Sequence, residues 1–513
     1  MSDSKPNQIS EKSSREEAAE KVIVSPEETS RLIETRREKA RLLREKGINP
    51  YPYKYERTHS LADLLKNFDA LEKDGTKVRV AGRMTLKRDM GKSVFADIRD
   101  QSARFQIYVK RDSVGEDSFS DFKKYDIGDI IGLEGTLFVT RTGEKTLAVS
   151  SIEILCKALH PLPDKHAGLV DKEMRYRQRY VDLIVNPEVR DVFVKRSKIV
   201  AAIRDYFAEK DFLEVETPIL QPIYGGAAAR PFVTHHNTLD MELYLRIADE
   251  LYLKRLIVGG FERVWELCKD FRNEGMDRLH NPEFTMIECY WAYADYFDMM
   301  NFVEEMFRYV CAKALGTQVV TYEETELDFS KPFERITMLG SVKDECGVDL
   351  SEMNYEESLS EARKKEIDTD SLNNWGQVVE AFFEKFVEPK LSAPTFVMDF
   401  PQDISPLAKI HRSNERLTER FELFIAGLEC ANAFSELNDP DDQRDRFLAM
   451  VEGAKKGEKE TPNTYDADFI TALQYGMPPT SGLGFGVDRM VMILTDQRNI
   501  RDVLFFPQMR PEA

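Results

Sequence analysis

The pattern of apolar and polar residues changes several times along the chain, and each change predicts a different kind of structure. Residues 1–28 are polar and poor in aromatic residues, which predicts a disordered tail. Residues 29–46 follow a helical period, which Gly47 and Pro50 bring to an end. From residue 77 to residue 158 apolar residues recur at every second position, which predicts a series of strands.

This strand-rich region predicts a small barrel. Its predicted strands are 77–84, 93–100, 104–112, 129–140 and 146–155, with Gly, Asp and Ser in the connections. Five short strands of this size are typical of a closed barrel of the OB type, a common binder of single-stranded nucleic acid. We therefore predict a first domain over residues 29–160 that combines the N-terminal helix with the barrel.

The remaining sequence predicts a larger α+β unit. We predict a Pro- and Gly-bearing linker over 161–185 and one large domain over 186–513, in which Asn186 and Pro187 start a helix. Its predicted strands are one that ends at Pro218, then 261–267, 283–291, 395–400, 420–428, 431–437 and 481–487; its predicted helices are 248–258, 296–315, 350–388, 440–457 and one from 488. Hairpins of strands, with helices between distant strands, indicate an antiparallel sheet flanked by helices. A charged, irregular stretch around 343–390 is predicted to be an insertion.

Composition narrows the setting in which the protein acts. At 513 residues the chain is long enough for about two or three domains, and no apolar run is long enough to cross a bilayer. No apolar signal sequence opens it. Its six cysteines form no CxxC pair, which fits a reducing cytosol and neither a disulfide scaffold nor a zinc site. We therefore expect a cytoplasmic protein with no membrane partner.

Charge is distributed unevenly along the chain. The net charge of −19 argues against a protein that coats nucleic acid. Residues 77–112, however, hold ten Lys and Arg against four Asp and Glu, a local excess of +6. Phe95, Phe105 and Tyr108 alternate there with arginines, and unpaired bases require this combination of stacking rings and cations. A chance excess on a solvated surface is the alternative, and some of the rings must pack inside the barrel because a strand has two faces.

The segment DFRNEGMDRLHNPEFTMIECY, residues 270–290, carries an acid inside a predicted strand. Alternation gives one face of this strand four residues: Phe284, Met286, Glu288 and Tyr290. A carboxylate among rings is unusual, since buried acids are rare unless paired. The connecting loop adds Arg272, Glu274, Arg278, His280 and Asn281. The segment indicates a cleft for a ligand with phosphate at one end and an amino group at the other, although a structural loop of this length would also be polar.

Two further acids lie in the predicted hairpin RFELFIAGLECANAFSELND, residues 420–439. Glu422 and Glu429 fall in or near neighbouring strands, where two carboxylates suit Mg²⁺ bound to a triphosphate. Acids at a solvated edge are the alternative, and this segment alone does not decide between the two. Parity gives one face of the second strand three residues: Asn432, Phe434 and Glu436.

Glycines alternate in SGLGFGVDRMVMILT, residues 481–495. Gly482, Gly484 and Gly486 strip one strand face of side chains, so that a flat ring or a substrate backbone fits against the main chain. Arg489 follows at the start of a helix, where its guanidinium and the helix dipole favour phosphate. The pattern differs from the dinucleotide-binding GxGxxG, which needs a βαβ context. Glycines at a barrel corner are the alternative.

Three of these segments together resemble the motifs of one enzyme family. DFLEVETPIL with Pro218, FRNEGMDRLHNPEF and GLGFGVDRM are similar, in this order, to motifs 1, 2 and 3 of the class II aminoacyl-tRNA synthetases. With the N-terminal barrel they resemble the branch that activates lysine, asparagine or aspartate. GGAAARPFVTHHN at 225–237 and RIADELYLKRL at 246–256 narrow the resemblance to the class II lysyl-tRNA synthetases of bacterial type.

The resemblance implies roles for residues at the matched positions. Arg272 would contact the α-phosphate of ATP and the amino-acid carboxylate, and Arg489 would contact the γ-phosphate. The other ATP positions are Glu274, His280, Asn281 and the adenine-stacking Phe284, and the Mg²⁺ ligands are Glu422 and Glu429. The amino-acid pocket is matched by Gly226, Glu250, Glu288, Tyr290, Asn432, Phe434, Glu436 and Gly484. Within it, Glu250 and Glu436 are the expected partners of the lysine side-chain ammonium.

The resemblance also implies partners and an activity. The barrel positions that match anticodon readers are Arg88, Phe95, Gln106 and Glu144. Pro218 matches the motif 1 proline at a homodimer interface. The implied reaction joins L-lysine to the 3′ end of tRNA(Lys) through a lysyl-adenylate, with ATP and Mg²⁺.

Two alternative functions are less well supported by the residues. A paralogue that transfers lysine to a protein side chain is disfavoured by the barrel, because a protein acceptor has no anticodon to read. A non-enzymatic tRNA- or nucleotide-binding protein is disfavoured because every matched ATP, Mg²⁺ and lysine position carries a chemically competent side chain.

Overall fold

The computed structural model describes residues 26–163, 169, 171–455 and 465–512. They form two compact units, one reaching to Arg175 and including Tyr180–Val185, the other comprising Tyr176–Arg179 and the chain from Asn186 onward. The predicted disordered tail lies outside the described residues except for 26–28, which already belong to the first helix. Part of the predicted linker, 164–168 and 170, also lies outside them.

The first unit is built around a closed barrel, as predicted. Its strands are β1 (Val78–Asp89), β2 (Ser93–Arg99), β3 (Arg104–Lys110), β4 (Ile130–Val139) and β5 (Lys145–Cys156). They pair in the order β1-β2-β3-β5-β4, and β4 closes the barrel on β1. Its helices are α1 (Pro26–Glu45), α2 (Leu61–Lys66), α3 (Phe68–Lys73), α4 (Arg111–Val114) and α5 (Glu116–Lys124); α6 (Lys172–Arg177) and α7 (Arg179–Val185) lie where the division between the units falls.

Alternation along the barrel strands separates an apolar interior from an outer face. The interior includes Val80, Ile98, Ile107 and Leu133, all fully buried. Phe105 joins this core, whereas Phe95 and Tyr108 are half-buried on the outer face. The expectation that the three rings divide between core and surface is therefore confirmed.

The first unit also buries a lysine. Lys157 Nζ lies 2.6 Å from Asp126 Oδ2 and 2.9 Å from Asp129 Oδ1, and the side chain is almost inaccessible to water. Removing an ammonium from water is unfavourable unless carboxylates partner it. The two aspartates therefore account for its burial.

The second unit is an α+β domain, as predicted. Its strands are β6 (Leu213–Glu214), β7 (Leu220–Gln221), β8 (Val233–His236), β9 (Met241–Leu245), β10 (Arg263–Phe271), β11 (Glu283–Ala292), β12 (Val319–Tyr322), β13 (Thr325–Asp328), β14 (Glu334–Thr337), β15 (Thr395–Met398), β16 (Ile410–His411), β17 (Asn414–Thr418), β18 (Arg420–Ile425), β19 (Leu428–Ser435) and β20 (Thr480–Gly486). Its helices are α8 (Pro187–Glu209), α9 (Glu250–Val258), α10 (Tyr296–Leu315), α11 (Met338–Cys346), α12 (Tyr355–Lys364), α13 (Trp375–Phe386), α14 (Pro440–Lys455), α15 (Ala467–Gln474), α16 (Val487–Leu494) and α17 (Ile500–Val503). Across the described ranges, no helix combines the length and apolar character needed to span a bilayer.

One large sheet organises this unit. Within the described ranges it has eight strands in the order β14-β15-β18-β19-β20-β11-β10-β6. The six central strands pair antiparallel, but the outer pairs β14-β15 and β10-β6 are parallel. The antiparallel prediction thus holds for the centre and is wrong for both edges. Each edge pair is joined by a long connection instead of a hairpin, and such connections permit parallel pairing.

The two faces of the sheet have different neighbours. One face packs against α8 and α10 in the main hydrophobic core, where Ile287, Cys289 and Phe485 are fully buried. Trp265 of β10 stacks there on Phe207 of α8, with the ring centroids 4.2 Å apart. The opposite face carries the polar residues of the predicted cleft.

Several elements differ from their predicted bounds. β6 covers two residues, whereas the sequence predicts a longer strand up to Pro218. The predicted helix over 350–388 is divided into α12 and α13, and the predicted linker contains α6 and α7. The short strands β7, β8, β9, β12, β13, β14, β16 and β17 are absent from the prediction because such brief segments show no clear period.

The predicted insertion around 343–390 packs onto the sheet. Trp375 and Phe382 of α13 share a hydrophobic cluster with Val342 of α11 and with Phe424 of β18. This packing brings one face of α13 against the sheet.

Trp265→Ala is expected to destabilise the second unit strongly. The substitution removes a ring that is 2% exposed and stacked on Phe207, and truncation of such a ring costs ~3–5 kcal/mol. Urea unfolding followed by circular dichroism measures the change, with the exposed Phe261→Ala as the control. A loss below about 1 kcal/mol would contradict this packing.

Candidate active site

Strand pairing aligns the predicted site residues in rows across the sheet. One row runs through Glu288 of β11, Gly484 of β20, Asn432 of β19 and Glu422 of β18. The next row contains, in the same strand order, Tyr290, Gly482, Phe434 and Arg420. Residues directly opposite each other point to the same side of a sheet. The rows therefore place acids, rings and an amide on the same face of the sheet, and we call this face the floor of the site.

This floor lies in a cavity of about 660 Å³. Every residue that the resemblance matches to ATP, lysine or Mg²⁺ lines it, from Gly226 in the sequence to Arg489. A cavity of this size suits a small-molecule ligand. The structure thus brings together positions that are far apart in the chain, while the role of each residue stays a prediction.

Glycines in β20 leave room above the floor. A Cβ atom at Gly482 would overlap Glu436 Oε1 and the Tyr290 ring. A Cβ at Gly484 would lie 2.8 Å from Met286 Cε, whereas one at Gly486 would meet its nearest neighbours at an ordinary 3.8 Å. Close packing therefore requires glycine at Gly482, whereas at Gly484 the end of the flexible Met286 side chain can shift to admit a methyl group. β20 lies in the centre of an open sheet, so the alternative of barrel-corner glycines is wrong.

A buried lysine lies between two of the predicted ammonium ligands. Glu250 begins α9 and Lys254 follows one turn later, so that Lys254 Nζ contacts the Glu250 carboxylate. The same Nζ contacts Glu436, which directly follows β19. All three side chains are buried. Sequence reasoning missed Lys254, although an acid and a base four residues apart on one helix were a visible signal.

Burial changes the proton affinity of the carboxyls on this floor. Burial raises the pKa of Glu436 to about 8; the attraction of Lys254 opposes the shift and repulsion from Glu250 adds to it. Burial also raises the pKa of Glu250, again against the attraction of Lys254. Burial and then repulsion from Asp249 raise the pKa of Glu288 well above its usual range. The floor thus carries more carboxylate than its internal cation neutralises, and an additional cation would be stabilised there.

Arg272 has an unsatisfied donor in the same cavity. It follows β10 directly, and its guanidinium carbon lies 5.1 Å from the centre of the Phe284 ring. Its Nε is buried and donates no hydrogen bond to any residue that the structure describes. Buried donors are normally paired, so this one favours an anionic ligand. A phosphate or a carboxylate meets that requirement.

Arg489 and His280 meet from different segments of the chain. Arg489 Nη2 lies 3.3 Å from His280 Nε2, and Arg489 Nη1 lies 3.3 Å from Glu429 Oε2. The other ring nitrogen of His280, Nδ1, lies 2.8 Å from Asp277 Oδ2. These contacts join the β10–β11 loop to the start of α16. The Arg489 side chain lines the cavity at this point.

Two other predicted ATP residues also bond within the protein. Asn281 Nδ2 donates to the Glu283 carbonyl at 2.6 Å, and Glu274 Oε1 accepts from the Arg230 backbone N–H at 3.3 Å. These bonds order the loop that carries both residues. Arg278 of the same loop is absent from the cavity lining, and its guanidinium lies 3.7 Å from Glu323.

The predicted Mg²⁺ ligands share the cavity with a third acid. Glu422 and Glu429 line the cavity together with Glu380 of α13. Burial raises the pKa of Glu422 to about 8; Arg420 opposes the shift, and repulsion from Glu429 and Glu380 adds to it. Acids that repel one another in this way form a fitting donor set for a hard cation with a preference for oxygen. Glu422 is largely buried within the sheet, so the alternative of two solvated edge acids is wrong for it.

Arg420 and Glu380 are cavity residues that sequence reasoning missed. Arg420 donates to Glu422 Oε1 at 2.6 Å and to Asn432 Oδ1 at 3.1 Å. Its parity with Glu422 on β18 was the available signal. Glu380 gave no signal, because a helical residue reaches the sheet only through tertiary packing.

The predicted anticodon residues lie on the barrel of the first unit, on β1, β2, β3 and the β4–β5 connection: Arg88, Phe95, Gln106 and Glu144. Arg88 pairs with Phe95, and the Phe95 and Tyr108 rings are 4.7 Å apart. Phe138, which the sequence interpretation omitted, extends this row at 6.0 Å from Tyr108. The outer barrel face therefore presents a row of rings flanked by an exposed arginine.

Pro218 lies in an exposed apolar stretch. It is exposed, and so are the following Ile219 and Leu220. Such a stretch favours contact with another surface.

Comparison with known proteins agrees with the motifs. Residues 171–510 match the family model of the class II tRNA synthetases (D, K and N), and residues 78–155 match that of the OB-fold nucleic acid binding domain. The lysine–tRNA ligase of Carboxydothermus hydrogenoformans is 54% identical over 486 residues, which cover 94% of this chain and 99% of that protein. That of Pelotomaculum thermopropionicum is 54% identical over 488 residues, 94% of this chain and 96% of that protein.

A third relative extends the same similarity. The lysine–tRNA ligase of Clostridium novyi is 52% identical over 489 residues, which cover 94% of this chain and 95% of that protein. The similarity therefore spans both units. The chain belongs to the class II tRNA synthetases and, within them, to the family of lysine–tRNA ligases.

Proposed function

We propose that this protein ligates L-lysine to the 3′ end of tRNA(Lys), with ATP as the energy source. The observation that carries the proposal is a cavity floor with three buried glutamates, Glu250, Glu288 and Glu436, in the same cavity as Arg272 and Arg489. The carboxylates suit the ammonium groups of lysine, and each charged hydrogen bond contributes ~1.5–3 kcal/mol. The arginines suit its carboxylate and the phosphates of ATP.

The first step joins lysine to AMP. A carboxylate oxygen of lysine attacks the α-phosphorus of ATP, an O–P bond forms, and the bond to the β-phosphate breaks with release of pyrophosphate. Arg272 stabilises charge on the α-phosphate oxygens, and Arg489 holds the departing phosphates. Phe284 stacks on the adenine. No protein nucleophile is needed, because holding the reactants in line contributes most of the acceleration.

Glu422 and Glu429 would hold Mg²⁺ beside the phosphates, with Glu380 next to them. When bound, Mg²⁺ neutralises charge on phosphate oxygens. Arg420 and Arg489 pair with these acids in the free protein. The pairing keeps the carboxylates oriented and limits their mutual repulsion.

The second step transfers lysine to the RNA. The 3′-hydroxyl of the terminal ribose attacks the adenylate carbonyl, an ester bond forms, the bond to AMP breaks, and the hydroxyl proton passes to solvent. Arg88, Phe95, Gln106 and Glu144 would read the anticodon, with Tyr108 and Phe138 extending the stacking surface. This aromatic row favours tRNA over a protein as the acceptor. We further propose a cytoplasmic homodimer that forms through the surface around Pro218.

Arg272→Ala is expected to lower lysine-dependent ATP–pyrophosphate exchange by ~100-fold or more, because the variant loses a donor to the α-phosphate. Arg278→Ala is the matched control, since it removes an arginine of the same loop that pairs outside the cavity. Exchange by the Arg272 variant within tenfold of wild type would refute the assignment. Loss of exchange in both variants would point to a disordered loop instead.

Gly482→Ala is expected to raise the lysine KM at least tenfold and to leave the ATP KM within threefold. The added methyl group overlaps Glu436 and Tyr290, whereas the same methyl group at Gly486 meets only ordinary contacts. Gly486→Ala on the same strand is therefore the control. Steady-state pyrophosphate exchange measures both constants, and equal effects of the two variants would contradict this account of the lysine pocket.

Phe95→Ala is expected to reduce tRNA charging at least tenfold more than adenylate formation. The ring lies on the outer barrel face, where loss of base stacking costs ~1–3 kcal/mol. Charging of tRNA(Lys) transcripts, compared with pyrophosphate exchange on the same preparation, measures the ratio. Tyr53→Ala, which removes a fully exposed ring of the first unit, is the control. Equal losses in both reactions would assign Phe95 to the barrel fold.

A further inference from the structure

Lys254 is a buried cation to which the reaction described above gives no part. Its side chain has no accessible surface, and its Nζ contacts Glu250 and Glu436. The rings of Phe434 and Phe469 lie 5.6 Å and 5.9 Å from the same nitrogen. Lys254 is absent from the cavity lining, whereas both glutamates line the cavity. The ammonium therefore lies behind the carboxylates, on the side away from a bound ligand.

Each glutamate divides its two oxygens between Lys254 and the cavity. Glu250 Oε1 and Glu436 Oε2 contact the ammonium. Glu250 Oε2 lies 3.6 Å from where a Cβ atom of Gly226 would be, and Glu436 Oε1 faces Gly482 in the same way. Both glycines line the cavity. The second oxygen of each acid is thus directed to the space that a ligand would enter.

Glu436 Oε1 supplies an independent sign of a missing partner. The side chain is 1% exposed, and this oxygen accepts no hydrogen bond from any part of the chain that the structure describes. Buried acceptors are normally satisfied. When both carboxylates are ionised, they and the one ammonium leave one negative charge over, and an additional ammonium in the cavity would neutralise that charge and favour the ionised state.

We propose that Lys254 is a positioning residue that determines specificity for a cationic amino acid. It acts as a permanent counter-cation that fixes Glu250 and Glu436 and turns their free oxygens toward the substrate ammonium. The inference rests on the proposed use of lysine as substrate. It adds that the selectivity of the pocket depends on a cation that never touches the substrate.

The charge of Lys254 matters because of what replaces it. Lys254 opposes the protonation of both buried carboxylates, so its loss favours a proton on at least one of them more strongly than in the wild-type protein. A proton on a cavity-facing oxygen turns an acceptor into a donor, which repels an ammonium. Loss of Lys254 also releases both side chains from their shared anchor. Both effects weaken the binding of lysine and leave the ATP contacts unchanged.

Two substitutions test this inference in lysine-dependent pyrophosphate exchange with the full chain. Lys254→Met keeps most of the volume and removes the charge, and Lys254→Gln keeps hydrogen-bond donors for both carboxylates. Each variant is expected to raise the lysine KM at least tenfold while the ATP KM stays within threefold. Lys157→Met is the matched control, because it removes a lysine that is equally buried between two carboxylates, in the barrel unit. It is expected to leave the lysine KM within threefold of wild type.

Several outcomes would overturn the inference. A lysine KM that is unchanged or lower in both variants would show that the charge of Lys254 does not assist the substrate. Parallel rises of the lysine and ATP constants, or failure of both variants to fold, would assign Lys254 a structural role. If the wild-type protein shows no lysine-dependent exchange, the proposed function itself fails, and that result is distinct from each of these.

Discussion

The second unit depends on pairing buried negative charge with positive charge. Its sheet and α9 bury several carboxylates, and positively charged side chains lie beside them. Three internal cations, Arg246, Lys254 and Arg420, each offset part of this charge. Arg246, for example, lies 2.7 Å from Glu266 and 3.0 Å from Asp249. Buried ion pairs of this kind contribute little net stability, because desolvation offsets the attraction. Their effect is geometric: each cation holds an acid in one orientation, and the apolar face of the same sheet supplies the packing that keeps the array together.

The alternation of residues made the central part of this arrangement predictable. Parity alone placed Glu288 and Tyr290 on one face of β11, and Asn432 on one face of β19 with Phe434, because the side-chain period of a strand is two. The same rule predicted that some of the barrel rings are core and others are exposed, but it did not assign individual rings. The motif resemblance then indicated that residues on different strands line the same site, which parity within one strand cannot show. The row from Glu288 through Gly484 to Asn432 needs the pairing register, which is a property of the folded sheet.

Two of the residues that escaped sequence reasoning did so for the same physical reason. Lys254 and Glu380 lie on helices. The sequence pattern of a helix predicts which face is buried but not which residues of other elements that face contacts. The parallel edges of the sheet depend on long connections whose paths no local pattern specifies. The short strands of the unit have too few residues to show a period. The sequence therefore predicted many of the residues that line the site, but it did not predict tertiary contacts between elements that are distant in the chain.

The barrel encloses an apolar cluster of its own, formed by residues of its five strands and the helices beside them. A polypeptide segment with a self-sufficient core is a natural unit of recombination in evolution. If the surface rings of the barrel bind RNA as proposed, replacement of this segment by a related barrel with different rings would change which RNA is selected without altering the residues proposed to form the adenylate. Divergence of recognition and conservation of chemistry can thus proceed in separate parts of one gene.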